Sequence, residues 1–234
     1  ADVVASVRPL SVERASLLKA GAIALSFLQL AADRPTIDAI AAGGATALSF
    51  DLVPRISRAQ SMDALTSQAL VTGYRSALVG AELLPKFFPL FMTAAGTIPP
   101  AKVLVLGAGV AGLQAIATAK RLGALVSAYD VREASADEVK SMGATFITLE
   151  LEALEASGGY AREMGEERAA RQRELLTPYI AGSDVVITTA AVPGRRAPLL
   201  VTSQMVSEMA TGSVVVDLAS ETGGNVEGSE QGVV

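Results

Sequence analysis

The sequence predicts an α/β protein with two domains, each built on a parallel sheet. Short apolar runs alternate with helical stretches along most of the 234 residues, and this alternation is typical of parallel strands joined by crossover helices. A glycine-rich turn at 107–112 joins one apolar run to a helix, and the next apolar run ends on Asp130. Together these observations predict two Rossmann-like domains with parallel sheets, the second of them doubly wound.

The first predicted domain covers residues 1–64. Half of all residues in the chain are hydrophobic and only 4% are aromatic, so aliphatic side chains would fill its core. Strands and helices alternate over Val3–Val7, Ser11–Ala20, Ala22–Phe27, Thr36–Gly43 and Thr46–Phe50. This βαβαβ order predicts a parallel sheet.

The second predicted domain covers residues 65–234. A long, mostly apolar helical segment, Ala64–Met92, leads into it and is broken near Pro85 and Pro89. Five strands separated by helices follow, at Val103–Leu106, Leu125–Tyr129, Thr145–Leu149, Val185–Thr188 and Val214–Leu218. This pattern predicts a doubly wound sheet.

The turn after the first of these five strands has the spacing of a dinucleotide-binding turn. Gly107 permits a tight turn out of the strand, Gly109 lets the backbone approach a pyrophosphate, and Gly112 lets helix and strand pack closely. The N–H groups at the start of the helix would then face the phosphates.

Asp130 follows the next strand, 18 residues beyond Gly112. A carboxylate at that distance binds the hydroxyls of the adenosine ribose and repels a 2′-phosphate, which favours NAD(H) over NADP(H). Arg132 leaves an alternative open, because a guanidinium two residues further on could accept that phosphate.

A charged segment, Glu150–Gln172, interrupts the alternation and carries Gly158-Gly159-Tyr160 at its centre. Glycines supply hinge freedom and tyrosine an aromatic face with a polar tip, as a mobile flap requires. An ordinary solvated connection is the alternative.

Composition excludes several classes of function. The chain has no cysteine and no histidine, so disulfides, thiolate zinc sites and the commonest general acid are absent, and no metal site is expected. A net charge of −5 gives no electrostatic footprint for nucleic acid. The uncharged run Leu104–Ala119 is too short to span a bilayer, so no direct membrane span is expected.

Six segments of the chain resemble the NAD(H)-binding component of proton-translocating NAD(P) transhydrogenases. They are PRISRAQSMDALTSQA, GAGVAGLQAIATAKRLGA, DVRE, GGYAREMGEERAARQ, VVITTAAVPGRRAP and GSVVVDLASETGGNVEG. The resemblance covers essentially the whole chain and is far more specific than the glycine turn alone. It implies that hydride passes directly between NAD(H) on this chain and NADP(H) on a partner component.

The resemblance also implies roles for individual residues. Arg55, Gln60 and Asp63 match a loop that orients the nicotinamide, although a capping and salt-bridging loop is the alternative. Gly159 and Tyr160 match a mobile loop that closes over the nucleotide. Further cofactor-binding matches are Thr66, Gly107, Gly109, Val110, Gly112, Asp130, Val131, Arg132, Gln172 and Ala191. Ala191 stands where leucine is usual and Thr66 where serine is usual, which affects the shape of the pocket.

The same resemblance implies an assembly. It consists of a homodimer of this chain, the NADP(H)-binding component and a membrane component that conducts protons. The chain would lie on the cytoplasmic or mitochondrial matrix side, associated with the inner membrane only through those partners. It also implies that the first domain has further segments before Ala1 and after Val234.

Two alternatives remain. An alanine dehydrogenase shares the layout, but its chemistry needs a lysine and a histidine, and the matching positions hold Arg8 and Gln29. Glu221 also stands where that family has an aspartate. A non-catalytic NAD-binding module is the second alternative, and the trio Arg55, Gln60 and Asp63 argues against it.

Overall fold

The fold was obtained as a computed structural model that describes residues 1–28, 34–54, 56–150, 165–191 and 195–234. The chain divides into two compact units, Ala1–Gln68 and Ala69–Val234. The predicted domain boundary, after residue 64, falls in the first turn of the helix α3, Ala64–Leu83.

The first unit contains a three-stranded parallel sheet in the order β1-β2-β3. Its elements are β1 Val3–Ala5, α1 Val12–Ser16, β2 Ile23–Ser26, α2 Arg34–Ala42 and β3 Thr46–Ser49. Ala15, Ala24, Leu28 and Ile40 form its core. The βαβαβ prediction is confirmed, with small aliphatic residues filling the space between sheet and helices.

The second unit is built on a five-stranded parallel sheet in the order β10-β9-β6-β7-β8. Its strands are β6 Lys102–Leu106, β7 Leu125–Tyr129, β8 Thr145–Phe146, β9 Val185–Thr188 and β10 Val214–Asp217. The helices are α4 Val110–Arg121, α5 Ser135–Ser141, α6 Glu166–Ala181 and α7 Ser203–Ser207. Numbered within this sheet and read from β8, the strand order is 3-2-1-4-5, which is the doubly wound arrangement.

Two apolar clusters cover the two faces of this sheet. Val103, Val105 and Val185 point to one cluster, and Leu104 and Val186 to the other. All five side chains are at most 1% exposed, as expected for central strands of a parallel sheet covered by helices on both faces. The predicted fold class is therefore confirmed.

Two predicted elements of the second unit have the wrong bounds. The segment predicted as helical over Ala64–Met92, with breaks near Pro85 and Pro89, is a helix only as far as Leu83, because Leu84 precedes Pro85 and that position disfavours helix. An antiparallel hairpin follows instead, with β4 Phe91–Thr93 paired to β5 Gly96–Ile98. The last predicted strand before the charged segment stops at Phe146, after which only Ile147 N donates to Ala128 O, at 2.8 Å.

The first predicted helix is also shorter than expected. The side chain of Ser11 caps α1 by accepting from Arg14 N at 3.3 Å, and the helix ends at Ser16 rather than Ala20. Gly21, with φ +77°, then turns the chain into β2. Over the described parts of the chain, no helix combines the length and apolarity that crossing a membrane requires.

Candidate dinucleotide-binding site

The strand order of the second unit reverses between β6 and β9, where doubly wound sheets have a ligand-binding crevice. From β6 the chain crosses to β7 on one side, and β9 pairs with β6 on the other side. In open parallel sheets, ligands bind outside the carboxyl ends of the strands where the order reverses. The turn after β6 and the loop after β9 therefore border the expected ligand site.

The turn after β6 is held tightly by its glycines. Gly107 adopts φ +105°, and its N–H donates to Tyr129 O at 2.8 Å. A Cβ on Gly112 would lie 1.9 Å from Gly107 O, and a Cβ on Gly107 would lie 2.5 Å from Thr189 Oγ1. No side chain larger than hydrogen fits at either position, so helix α4 packs directly on the turn.

Gly109 has a different environment from these two glycines. It is the N-cap of α4, it is exposed, and a Cβ built on it would meet no atom within 4 Å. The next residue, Val110, is 42% exposed and begins the helix. The side-chain position at the N-cap of this 12-residue helix is thus open, as the approach of a pyrophosphate to a helix N-terminus requires.

Asp130 follows β7 and is surrounded by donors. Its Oδ2 accepts from Ala108 N at 2.7 Å, and its Oδ1 accepts from Arg132 N at 2.9 Å. The guanidinium of Arg132 adds Nε to Oδ1 at 3.0 Å and Nη2 to Oδ2 at 3.1 Å. The hydrogen bonds to Asp130 raise the pKa of Arg132. Asp130 is thus fixed in place and ion-paired with Arg132, and Val131 between the two packs against the core.

The burial of Tyr129 has an electrostatic consequence beside this pair. Its side chain is 6% exposed and lies next to Asp130 in the chain. Burial, followed by the charge of Asp130, raises the pKa of Tyr129 to about 12. The phenol is therefore a neutral, structural part of the sheet at physiological pH.

The loop after β9 forms the other border of the crevice. Thr189 Oγ1 donates to Gly107 O at 3.1 Å, which ties this loop to the glycine turn. Ala190 N donates to Oδ1 of Asn225 at 3.0 Å, and Ala191 is exposed. Thr189 and Asn225 were missed at the level of sequence, because no local motif marks a threonine or an asparagine that bonds to a distant backbone.

Gln172 lies on α6 and is only 3% exposed. It continues the buried stripe of Leu176 and Ile180 toward the N-terminus of the helix. Helices of a doubly wound sheet run antiparallel to the strands, so this end of α6 lies at the carboxyl edge where the crevice opens. Gln172 is the seventh residue of this 16-residue helix, one turn closer to that edge than Leu176, and its predicted contact with the cofactor stays a prediction.

The loop before α3 belongs to the first unit. Gln60 is exposed on a 3-10 helix, Ser57–Met62, that ends at Asp63. Asp63 Oδ1 accepts from Thr66 N at 2.9 Å, and Thr66 Oγ1 donates to Asp63 Oδ2 at 2.6 Å. Asp63 thus caps α3, which is the capping role considered for this loop, and Thr66 is its partner.

Several predicted residues lie outside the described ranges. They are Arg55 of the nicotinamide trio, and Gly159 and Tyr160 of the proposed flap. Gln29, used above against the dehydrogenase alternative, lies outside as well. Their predicted roles stay predictions.

Comparison with known protein families identifies both regions of the chain. Residues 1–72 match the family described as Alanine dehydrogenase/PNT, N-terminal domain, and residues 76–233 match Alanine dehydrogenase/PNT, C-terminal domain. These matches cover almost every residue of both structural units.

Individual relatives refine this comparison. The chain is 50% identical over 242 aligned residues to a Rhodospirillum rubrum protein named as one portion of NAD(P) transhydrogenase subunit alpha, covering 100% of this chain and 63% of the relative. It is 32% identical to an alanine dehydrogenase of Mycolicibacterium smegmatis, covering 92% of this chain and 53% of the relative.

A solved structure agrees with these relatives. The transhydrogenase of Sinorhizobium meliloti aligns with a TM-score of 0.85 and 46% identity, covering 98% of this chain and 62% of that one. The chain thus spans about three fifths of the length of the transhydrogenase relatives it matches. The resemblance to transhydrogenases is confirmed, and the chain belongs to the alanine dehydrogenase/PNT family.

Proposed function

We propose that this chain is the NAD(H)-binding component of a proton-translocating transhydrogenase, in which hydride passes directly between NADH and NADP⁺ bound to a partner component. The observation that carries the proposal is a dinucleotide crevice in a chain without histidine. Direct transfer between two nicotinamides needs no proton donor at the reacting carbon, so the missing histidine is no obstacle to this reaction.

The geometry of the crevice supports binding of a dinucleotide. The open space at Gly109 and the start of α4 fit a pyrophosphate. Asp130 is placed for the adenosine ribose on the β7 side, and its carboxylate disfavours a 2′-phosphate, which supports NAD(H) as the ligand. The remaining half of the nucleotide then extends toward the loop after β9.

We propose that the residues identified by the family resemblance orient the nicotinamide. Arg55, Gln60 and Asp63 orient the nicotinamide carboxamide, which offers both donors and an acceptor. Tyr160 and Gly159 close over the bound nucleotide and keep water from the hydride. Thr66, Gln172 and Ala191 provide further contacts, and the exposed position of Gln60 leaves its amide available for one.

The proposal extends to assembly. The partners are the NADP(H)-binding component and a membrane proton-channel component, and the chain acts as a homodimer. A run of exposed apolar residues in the second unit supports the dimer, comprising Leu83, Phe87, Leu90, Phe91 and Met92. Through its partners the chain would be peripheral to the inner membrane, on the cytoplasmic or matrix side.

Parallel assays with two acceptors test the function. The full-length chain is mixed with NADH and, separately, with an NADP⁺ analogue plus the NADP(H)-binding partner, or with pyruvate plus ammonium. Oxidation of NADH in the assay with the NADP⁺ analogue and the partner, but not in the assay with pyruvate and ammonium, supports the transhydrogenase. Oxidation with pyruvate and ammonium favours an alanine dehydrogenase, which the 32% identity to such an enzyme makes the second candidate. Binding of NADH without turnover in either assay indicates a non-catalytic module.

A further inference from the structure

Asn225 is bonded to the loop that follows β9 and is fully buried, at 0% exposure. Its Oδ1 accepts from Ala190 N at 3.0 Å, and its Nδ2 donates to Ala190 O at 2.8 Å. Nδ2 also donates to Pro198 O at 2.8 Å. One amide side chain therefore satisfies both backbone groups of a single residue, as a strand partner does in a sheet.

Asp217, the last residue of β10, fixes the backbone of Asn225. Its Oδ2 accepts from Asn225 N at 2.8 Å and from Ser229 Oγ at 2.8 Å. Its Oδ1 accepts from Thr188 Oγ1, at the end of β9, at 2.9 Å. Hydrogen bonds to an ionised carboxylate are short and strong, so the ends of β9 and β10 and the turn before Asn225 form one rigid network.

A second link connects the same loop to the glycine turn. Thr189 Oγ1 donates to Gly107 O at 3.1 Å, and Gly107 is the first residue after β6. The loop after β9 is thus hydrogen-bonded both to Asn225 and to the turn that would carry the pyrophosphate. Ala190 has both of its backbone groups occupied, and the exposed Ala191 is the next residue in the chain.

The position of this loop relates it to one half of the nucleotide. Asp130 marks the adenosine side, beyond β7, whereas Ala190 and Ala191 lie on the opposite side of the glycine turn, beyond β9. A dinucleotide whose pyrophosphate lies at the turn therefore extends its nicotinamide half over the loop that Asn225 holds.

We propose that Asn225 is a positioning residue, which fixes the backbone of Ala190 and Ala191 so that the nicotinamide half of NAD(H) binds in one orientation. The inference rests on the proposed function. It assigns no direct contact to Asn225, which acts through the loop. A loop free to shift by a fraction of an ångström would still bind adenosine, but would lose the alignment that hydride transfer requires.

The test compares two ligands on Asn225→Ala in the full-length chain. ADP-ribose reports the adenosine and pyrophosphate half, and NADH adds the nicotinamide. We expect the Kd of ADP-ribose to stay within about twofold and kcat for transfer with the partner to fall by about tenfold or more. Ser229→Ala is the matched control, since it removes one hydrogen bond to Asp217 without touching Ala190. If Asn225→Ala weakened the binding of ADP-ribose and of NADH equally, the proposal would be overturned. It would also be overturned if kcat of Asn225→Ala equalled that of Ser229→Ala.

A measurement on the unmodified protein covers the case in which Asn225→Ala does not fold. Amide hydrogen exchange over residues 189–191 should slow when NADH is added and should not slow with ADP-ribose. Equal protection by both ligands, or none by either, contradicts the proposal. Absence of hydride transfer in the unmodified protein with its partner would instead reject the proposed function, and the comparison of NADH with ADP-ribose would still decide whether the loop bonded to Asn225 meets the nicotinamide half.

Discussion

The guanidinium of Arg132 lies along the carboxylate of Asp130, with Nε 3.0 Å from Oδ1 and Nη2 3.1 Å from Oδ2. Only 8% of the Asp130 side chain is exposed, against 34% of Arg132. The residue that disfavours a 2′-phosphate is therefore covered by one that could accept it. On the proposed function, we expect discrimination between NADH and NADPH to depend on the balance of these two charges.

The first prediction concerns this balance. Asp130→Asn removes the negative charge that faces the guanidinium of Arg132, so NADH should bind about tenfold more weakly and NADPH more tightly than in the unmodified protein. Arg132→Ala should change the preference in the opposite direction. Fluorescence titration with each nucleotide gives the ratio of the Kd of NADH to that of NADPH. Glu133→Gln, which alters an exposed neighbouring charge, is the control. A ratio equal to that of the control in both variants would contradict the assignment.

The second prediction separates two glycines of the same turn. Gly112→Ala places a Cβ 1.9 Å from Gly107 O and should cost about 3 kcal/mol or more of unfolding free energy. Gly109→Ala meets nothing within 4 Å and should cost about 1 kcal/mol or less, while weakening NADH binding by about tenfold or more. Urea unfolding measures the loss of stability, and NADH titration measures the loss of affinity. If the two variants lost stability and affinity to the same extent, a pyrophosphate at Gly109 would be contradicted.

The third prediction concerns alkaline stability. The pKa of Tyr129 is about 12 in the folded chain against 10.0 for an ordinary tyrosine, so the folded state holds its proton more tightly. Its stabilising contribution is complete below pH 10 and is lost as the pH rises toward 12, by about 2 to 3 kcal/mol in total. Tyr129→Phe should lack this loss in unfolding experiments over that range. Tyr179→Phe, at a site 44% exposed, is the control and should retain it.

The fourth prediction separates the structural and chemical roles of Asp63. Asp63→Ala removes the cap on Thr66 N and should destabilise the protein by about 1 kcal/mol. Asp63→Asn keeps an oxygen for that N–H, so its thermal midpoint should stay near that of the unmodified protein. If the carboxylate orients nicotinamide, both variants slow transfer by about tenfold. Normal kcat in Asp63→Asn would leave Asp63 with the capping role alone, and Ser67→Ala serves as the exposed control.

The fifth prediction concerns self-association. Met92 is 78% exposed at the centre of strand β4, close to Phe91 and Leu90. Met92→Asp should weaken a homodimer through this surface by at least about tenfold, as measured by sedimentation at several concentrations. Leu17→Asp changes a more exposed leucine in the first unit and should have no effect. An unchanged dimer in Met92→Asp would place the interface elsewhere.

Local chemistry explains which regions of the fold could be predicted. The strands β6 and β9 are continuous apolar runs, and the glycines at 107, 109 and 112 permit a turn that other residues do not, so both features are visible in a short window. The β4–β5 hairpin was missed because its turn has none of the usual Asn-Gly or Asp-Gly signals and because all three residues of β4 are exposed, so the strand shows no alternation of apolar and polar positions.

The candidate site shows a similar division between local and distant signals. Asp130 follows a strand and was assigned by its distance from the glycines, and no such rule exists for Asn225. Asn225 and Ala190 are 35 residues apart, and Asp217 and Thr188 are 29 apart. Hydrogen bonds at these separations depend on the packing of β9 against β10, which the sequence expresses only through the whole fold.

The two borders of the crevice differ in how the chain builds them. The glycine turn and the Asp130–Arg132 pair belong to one uninterrupted stretch, residues 107–132, whereas the loop at Ala190 depends on Pro198, Asp217 and Asn225. Exchange of that single stretch with a relative could transplant a different adenosine preference. The opposite border depends on contacts between residues that are far apart in the chain, so no single stretch carries it.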